Sequence, residues 1–459
     1  MPDSDNLSPS SFLRNPSFDA LSGTAPRNQY TSEEFQKDAS KIIAFYLPQY
    51  HEIKENSEWW GPGFTDWVNV AKARPLYPGH YQPHIPRELG FYDASLPSVL
   101  EAQTQLARKY NVYGFCFYWY WFDGRKILEK PIETFLDSNI DFNFCFCWAN
   151  ETWARTWDGN PKHTLINQNY GEGFEKRLIN DFSPYWQDRR YIKVDGRPLL
   201  LIYRINDIPN IKEVIATLRL ESQSLLNLNP YIVGVDFYDM PDEVEIGLDG
   251  IVEFPPHKFW GDNNAKKTPE EIIPSYSGKI IDYSKVIVQS LGRKVSDHRR
   301  LYRACFPSWD NTARIGDRAV VIENQNAISF ERWLQGLRQY TRENLNSTDN
   351  FIFVNAWNEW AEGAHLEPDL HMGTSFLEAL VRSENYLPSG NYLDLESVKN
   401  SLNISNYTRN SNVYFDSHFY SPKNGLVQKI GNGIFHVSPL FYKLVRLVFR
   451  AFKKMRKFE

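Results

Sequence analysis

The sequence predicts a (β/α)8 barrel, and three observations carry that expectation. Eight short β-rich runs recur from Lys41 onward, most are separated by segments of helical periodicity, and polar residues collect just behind the ends of the runs. The 459 residues, 42% of them hydrophobic, suffice for one large core with insertions.

In chain order the runs are "KIIAFYLPQY", "YGFCFYWYWF", "DFNFCFCWAN", "RPLLLIYR", "YIVGVDFY", "GIVEFPP", "YRACFPSW" and "FIFVNAW". Several are apolar on both alternating faces, as a strand covered on both sides reads. Helical segments read as "LPSVLEAQTQLARKY", "GFEKRLINDF", "IKEVIATLRLESQSLL" and "FERWLQGLRQYTREN", with "SFLEALVRSEN" behind the eighth run. An open doubly wound sheet shares this alternation, but no GxGxxG or GxxxxGK[ST] loop follows any run, which weakens its nucleotide-binding version. The long connection after the first run carries "SEWWGPGFTDW" and is expected to roof the site.

The barrel is expected over residues 41–385. Residues 1–40 read as a disordered arm, 386–437 as an appendage of uncertain fold, and 438–459 as a basic amphipathic helix. In that helix Lys443, Arg446, Arg450, Lys453, Lys454 and Lys457 gather on one side, and Leu444, Leu447, Val448, Ala451, Met455 and Phe458 on the other. It is too short and too charged to span a bilayer. Its composition suits either the headgroup plane of an anionic membrane or a place on the protein's own core.

No charged n-region with an apolar h-region opens the chain, and no run reaches the ~18 apolar residues of a membrane span. The expected location is therefore cytoplasmic, peripheral at the inner membrane. The formal net charge of −5 is small for this length and excludes a global field that collects nucleic acid. Cys116, Cys145, Cys147 and Cys305 each sit in an apolar run without CxxC spacing and read as small buried hydrophobes.

Function is carried by the ends of the runs. The 14 Trp, 26 Tyr and 30 Phe crowd next to polar residues, a composition that suits a cleft for sugar rings. Trp59, Trp60, Trp119 and Trp153 are the expected platforms. The polar set comprises His51, Glu151, Asp236, Tyr238, Glu253, Asp310, Arg314 and Asn358, with Glu359 and Glu362 at the eighth run. Residues three apart on a strand face opposite ways, so Glu359 and Glu362 converge only if the chain turns between them, and Gly363 makes that turn plausible. Two carboxyls at a barrel mouth supply an acid and a base or nucleophile for glycosidic-bond chemistry, and flanking Trp357 and Trp360 would raise the pKa of one.

Each polar residue also has a plainer role. His51 suits a bond to a loop carbonyl, Glu253 a turn cap, and Asp310 with Arg314 an ion pair at the rim. Glu151 reads as a third acid, or as a group orienting a substrate hydroxyl or Arg155. Glu362 and His365 have the E-x-x-H spacing of some metal sites, but the motif shows no second histidine, so neither metal nor cofactor is expected.

The segments "AFYLPQYH", "SEWWGPGFTDW", "GFCFYWYWF", "WANETW", "PSWDNTAR" and "WNEWAEGAHLEP" together resemble the WbsX-like group of polysaccharide-biosynthesis proteins, related to glycoside hydrolase family 99, over about Lys41 to Glu384. The resemblance implies a (β/α)8 fold and a retaining mechanism. It implies Glu362 as general acid/base, and Glu359 as the base assisting attack by the substrate's own 2-hydroxyl. It also implies Tyr46, His51 and Arg314 as residues lining the sugar site. The family 99 hydrolases are typically exported, and the absence of a leader here argues against copying their endo-mannosidase activity.

Three function classes compete: an enzyme that cleaves or transfers glycans, hydrolase or glycosyltransferase, in lipopolysaccharide or capsule assembly with an oligosaccharide or lipid-linked glycan as substrate; a sugar-nucleotide glycosyltransferase, for which neither a phosphate loop nor a D-x-D motif is evident; and a non-catalytic glycan-binding protein, which could dispense with the glutamates.

Overall fold

The computed structural model describes residues 40–384 other than 156–159, 238–239, 241–242, 262–264, 267–268 and 294–299. Tyr238, the N-terminal arm, the appendage and the basic helix therefore lie outside the described residues.

All eight runs form strands of one barrel: β1 (Lys41–Tyr46), β2 (Val112–Phe122), β3 (Asn143–Trp148), β4 (Arg197–Ile202), β5 (Tyr231–Asp236), β6 (Gly250–Glu253), β7 (the segments Leu301–Tyr302 and Ala304–Cys305) and β8 (Phe351–Val354). Neighbours pair in parallel from β1 through β6, and β1 also pairs β8. The ring is completed by β7. Its first segment pairs β6 and its second pairs β8, with Arg303 between them.

The outer layer consists of α1 (Pro97–Lys109), α2 (Lys130–Asp137), α3 (Phe174–Trp186), α4 (Ile211–Leu226), the single turn α5 (Glu243–Ile246), α6 (Tyr283–Leu291), α7 (Ala327–Asn344) and α8 (Ser375–Glu384). Sequence periodicity located α1, α3, α4, α7 and α8. The short helices α2, α5 and α6 offer too few turns for a periodic signal. Among the described residues no helix is long and apolar enough to cross a membrane. All four cysteines are buried and unpaired, as their apolar surroundings suggest.

Alternation along the strands decides what reaches the barrel interior. Phe45 packs against Tyr118, Phe254 and Phe353 at ring-centroid distances of 5.6, 5.2 and 5.7 Å, so it points inward from β1. Its neighbour Tyr46 must then point outward, and its hydroxyl donates to Gln103 Oε1 of α1 at 2.8 Å. The same parity turns Tyr118 and Tyr120 inward and Trp119 outward. Trp119 is wedged against Phe146, Phe182 and Tyr185, between the barrel and α3.

Three insertions extend the rim where the strands end. Residues 47–96, between β1 and α1, carry the short helices Lys54–Trp60 and Asp66–Lys72. β2 outruns the barrel and folds back through Asp123 and Gly124, at φ 49° and 96°, to pair with Arg125–Ile127, the backbone a two-residue hairpin requires. After β3, Trp153–Arg155 pairs with Asn160–Ile166.

Candidate active site

Behind β8 the chain passes a cis Asn355–Ala356 bond, pairs Asn358–Glu359 with Ala364–His365 in antiparallel fashion, and turns through the 3-10 segment Trp360–Glu362. This turn brings the two glutamates together. Gly363 closes it at φ +61°, where a Cβ would stand 2.8 Å from the Asp310 nitrogen and 2.9 Å from its oxygen, so only glycine fits. Asn358 locks the turn to β1: its Oδ1 accepts from Leu47 N at 2.8 Å and its Nδ2 donates to Leu47 O at 3.0 Å. The Tyr50 hydroxyl donates to Asn358 O and accepts from Trp360 N.

One buried guanidinium organises the acids. Arg314 Nη1 donates to Glu362 Oε1 at 2.7 Å, while Nη2 donates to Glu359 Oε2 at 2.9 Å and to Asp66 Oδ2 at 2.8 Å. Asp66 is completely buried, and its other oxygen accepts from Asn69. Three carboxylates thus share one cation, an excess of negative charge that favours a retained proton. Burial raises the pKa of Glu359 to about 8 against the opposing pull of Arg314, and burial raises that of Glu362 as well. The pair titrates as a unit.

Both glutamates and Arg314 line a cavity of about 390 Å³, within the range of ligand pockets. Trp60, Tyr118, Tyr120, Trp153, Tyr203, Phe237, Phe254 and His257 supply its aromatic walls. Burial holds the His257 pKa down to about 3, so its ring is a neutral part of the wall. Gln49 also reaches the cavity, and its Nε2 is buried without a hydrogen-bond partner. Glu151 lines the cavity too. It pairs with Arg204, at 2.8 Å between Oε1 and Nε, rather than with Arg155, whose guanidinium lies over the Trp60 ring.

The structure therefore brings together Trp60, Glu151, Trp153, Arg314, Glu359 and Glu362 from the expected set. The other described members it places elsewhere, each for a physical reason. Tyr46 and Trp119 face outward by strand parity. Trp59 packs edge-on against Trp153 behind the wall, with its carbonyl accepting from Arg155. His51 Nδ1 lies 2.9 Å from the Pro48 carbonyl, the plainer role considered for it.

Asp236 pairs with Lys258 and Arg293, and Glu253 with Arg293 and Arg303, because the neighbours that face inward are Phe237 and Phe254. Glu253 Oε2 also accepts from Ala304 N, holding the interrupted β7 rather than capping a turn. Asp310 binds His80, Gln82 and Thr312 instead of Arg314, and Asn358 is spent on the backbone of Leu47, just behind β1.

The match to known proteins agrees with this motif set. A family model described as "Glycosyltransferase WbsX" covers residues 42–380, nearly the whole barrel. The chain belongs to the WbsX glycosyltransferase family. Two proteins of Xanthomonas campestris pv. campestris, from different strains and both called "Uncharacterized protein WxcX", are 37% identical to this WbsX-family chain over 346 residues. The match takes in 74% of this chain and 48% of theirs, so the chain spans about half the length of those relatives. The GH99 endo-alpha-mannosidase of Bacteroides thetaiotaomicron is similar in structure at a TM-score of 0.46 and 13% identity, over 79% of this chain and 98% of that one. A "Glycoside hydrolase-like protein" reaches 0.47 at 13% identity, over 81% and 99%. At that distance the chemistry of the WbsX-family site rests on its own geometry.

Proposed function

We propose that the protein is a carbohydrate-active enzyme of cell-surface polysaccharide biosynthesis, lipopolysaccharide or capsule, that acts on a glycosidic bond with retention through Glu359 and Glu362. The observation that carries this reading is the pair of glutamates held by one buried guanidinium inside an aromatic cavity. A retaining pair stands closer, at ~5 Å, than an inverting pair, which leaves room for a water at ~6.5–9.5 Å, and shared attachment to Arg314 favours the closer arrangement.

In this mechanism Glu362, the more exposed of the two, gives its proton to the departing glycosidic oxygen. Glu359, ionised, draws the proton from the substrate's 2-hydroxyl as that oxygen attacks the anomeric carbon. Water or an acceptor hydroxyl then opens the anhydro sugar, and each proton returns by the reverse path. Burial favours Glu359 as the holder of the shared proton in the free site, so substrate must move it to Glu362, a short transfer between groups on one guanidinium. Gln49, Glu151, Trp60 and Trp153 line the cavity, and in this reading the first two bind sugar hydroxyls while the tryptophans carry ring faces.

A sugar nucleotide fits this cavity poorly. Among the described lining residues Arg314 is the lone Lys or Arg, it is already shared by three carboxylates, and a diphosphate would add to that surplus. Hydrolysis or transfer between glycans is the reading that the charge balance supports. The test is product analysis with free and lipid-linked oligosaccharides. Retained anomeric configuration, lost together with all turnover in Glu359→Gln and Glu362→Gln, is expected; inversion, or turnover that survives both substitutions, overturns it. Association of residues 438–459 with an anionic membrane belongs to the same proposal. The intact chain should sediment with anionic liposomes and release as salt rises, and equal binding by a chain ending at Phe435 would refute it.

A further inference from the structure

We propose that His84, His365 and Asp369 form a binding site for one divalent transition-metal ion, with zinc the best chemical match, which clips the 47–96 insertion to the turn bearing the two glutamates. His84 Nδ1 lies 2.8 Å from His365 Nε2, and His365 Nε2 lies 3.9 Å from Asp369 Oδ2. One donor atom from each of the three residues lies within 4.8 Å of the others, and all three side chains are buried. Tetrahedral zinc with bonds near ~2.05 Å sets its ligand atoms about 3.3 Å apart, and the two measured separations straddle that value.

The surroundings orient the donors as metal ligands are oriented. His365 Nδ1 is 2.8 Å from the Glu367 carbonyl, which can only accept, so the proton sits on Nδ1 and the Nε2 lone pair points at His84 and Asp369. Asp369 Oδ1 is taken by the backbone N–H groups of His371 and Met372, which leaves Oδ2 toward His365. Nε2 and Asp369 Oδ2 thus face each other without a proton between them, while the neutral His84 ring can donate its Nδ1–H to the same lone pair, a proton that a bound ion would displace. A cation completes such an arrangement.

The backbone already presents the site. Arg87 N donates to Pro368 O at 2.9 Å and Leu370 N to Ile85 O at 3.0 Å, so the segments carrying His84 and Asp369 are paired before any ion arrives. Two imidazoles and one carboxylate, with a fourth position for water, suit zinc over magnesium or calcium, which prefer all-oxygen shells. The site differs from the glutamate pair, yet it bears on it: the His365 ring stacks on Trp360 at 3.8 Å, and Trp360 follows Glu359 directly.

The test uses the full chain, free of any affinity tag, stripped with a chelator and titrated with Zn²⁺ alone or Co²⁺ alone. Calorimetry and elemental analysis should find one equivalent per chain, Co²⁺ should give the visible absorption of a tetrahedral site, and Zn²⁺ should raise Tm reversibly. Asp369→Asn keeps the backbone contacts of Oδ1, and His84→Gln keeps a side chain of similar reach; each should fold and lose at least ~100-fold in Zn²⁺ affinity, while His371→Ala retains it. A wild-type chain that binds no stoichiometric Zn²⁺ and shows no change in Tm overturns the proposal, as does undiminished binding in both variants.

Discussion

Two buried acidic sites lie at strand ends of the same barrel, and they are wired in opposite ways. Beside β5 and β6, Asp236 and Glu253 are served by Lys258, Arg293 and Arg303, so cations match or exceed acids. Beyond β7 and β8, Asp66, Glu359 and Glu362 divide the single guanidinium of Arg314. Matched pairs hold a wall in place, as Glu253 does at the interrupted β7. A surplus of acid leaves a proton to be donated. On the proposed mechanism, charge ratio, rather than burial or position at a strand end, separates the structural acids here from the chemically poised ones.

The largest expected effect tests that contrast. Glu359→Gln and Glu362→Gln should each lower turnover by at least ~100-fold with the fold intact. Glu253→Gln should leave turnover per folded molecule within a few fold but cost about 3 kcal/mol of stability, since it strands the buried Arg303. Steady-state kinetics beside denaturant melts would break the comparison if the outcomes exchanged places.

A second contrast concerns neighbouring tryptophans on opposite sides of a wall. Trp153→Ala should weaken glycan binding by about 10-fold with a modest change in stability, because its ring faces the cavity. Trp119→Ala should cost about 3–5 kcal/mol by leaving a hole beneath α3, with binding retained. Titration with glycan and thermal melts of both variants separate the two roles.

The subtlest effect is on pH. The folded pKa of Glu359 is raised above its unfolded value, so its favourable contribution is full below about 4.5 and is lost as pH rises through about 8. The Tm of Glu359→Gln relative to wild type should therefore climb across that window and then level off. In the wild type, kcat/KM should fall above pH ~8 as the shared proton is lost. A Tm difference that is flat with pH would mean that the proton resides on another group.

The barrel was legible because its strands are written locally. Runs such as "FIFVNAW" and "GFCFYWYWF" declare themselves within ten residues, and the turn at Gly363 does the same for Glu359 and Glu362. Parity was also available, and applying it to "YWYWF" would have chosen Tyr118 and Tyr120 over Trp119. Other features depend on distant partners. Asp66 meets Arg314 across 248 positions and His84 meets His365 across 281, so no local pattern marks either residue as part of a cluster. A second histidine beside His365 comes from the long insertion after β1, while Glu362 of the E-x-x-H spacing turns to Arg314 instead.

The four-residue turn carrying both glutamates is pinned from several sides: Asp310 N to Glu362 O at 2.7 Å, Gly363 N to Trp360 O at 3.0 Å, Trp360 N to the Tyr50 hydroxyl at 3.1 Å, and Leu47 N to Asn358 Oδ1 at 2.8 Å. These amides should exchange with deuterium as one cooperative unit, with a common opening free energy, because no member can be released while the others hold. Breathing of the molecule would then present a site that is either whole or absent, and on the proposed mechanism a glycan would never meet a general acid whose companion base has swung away.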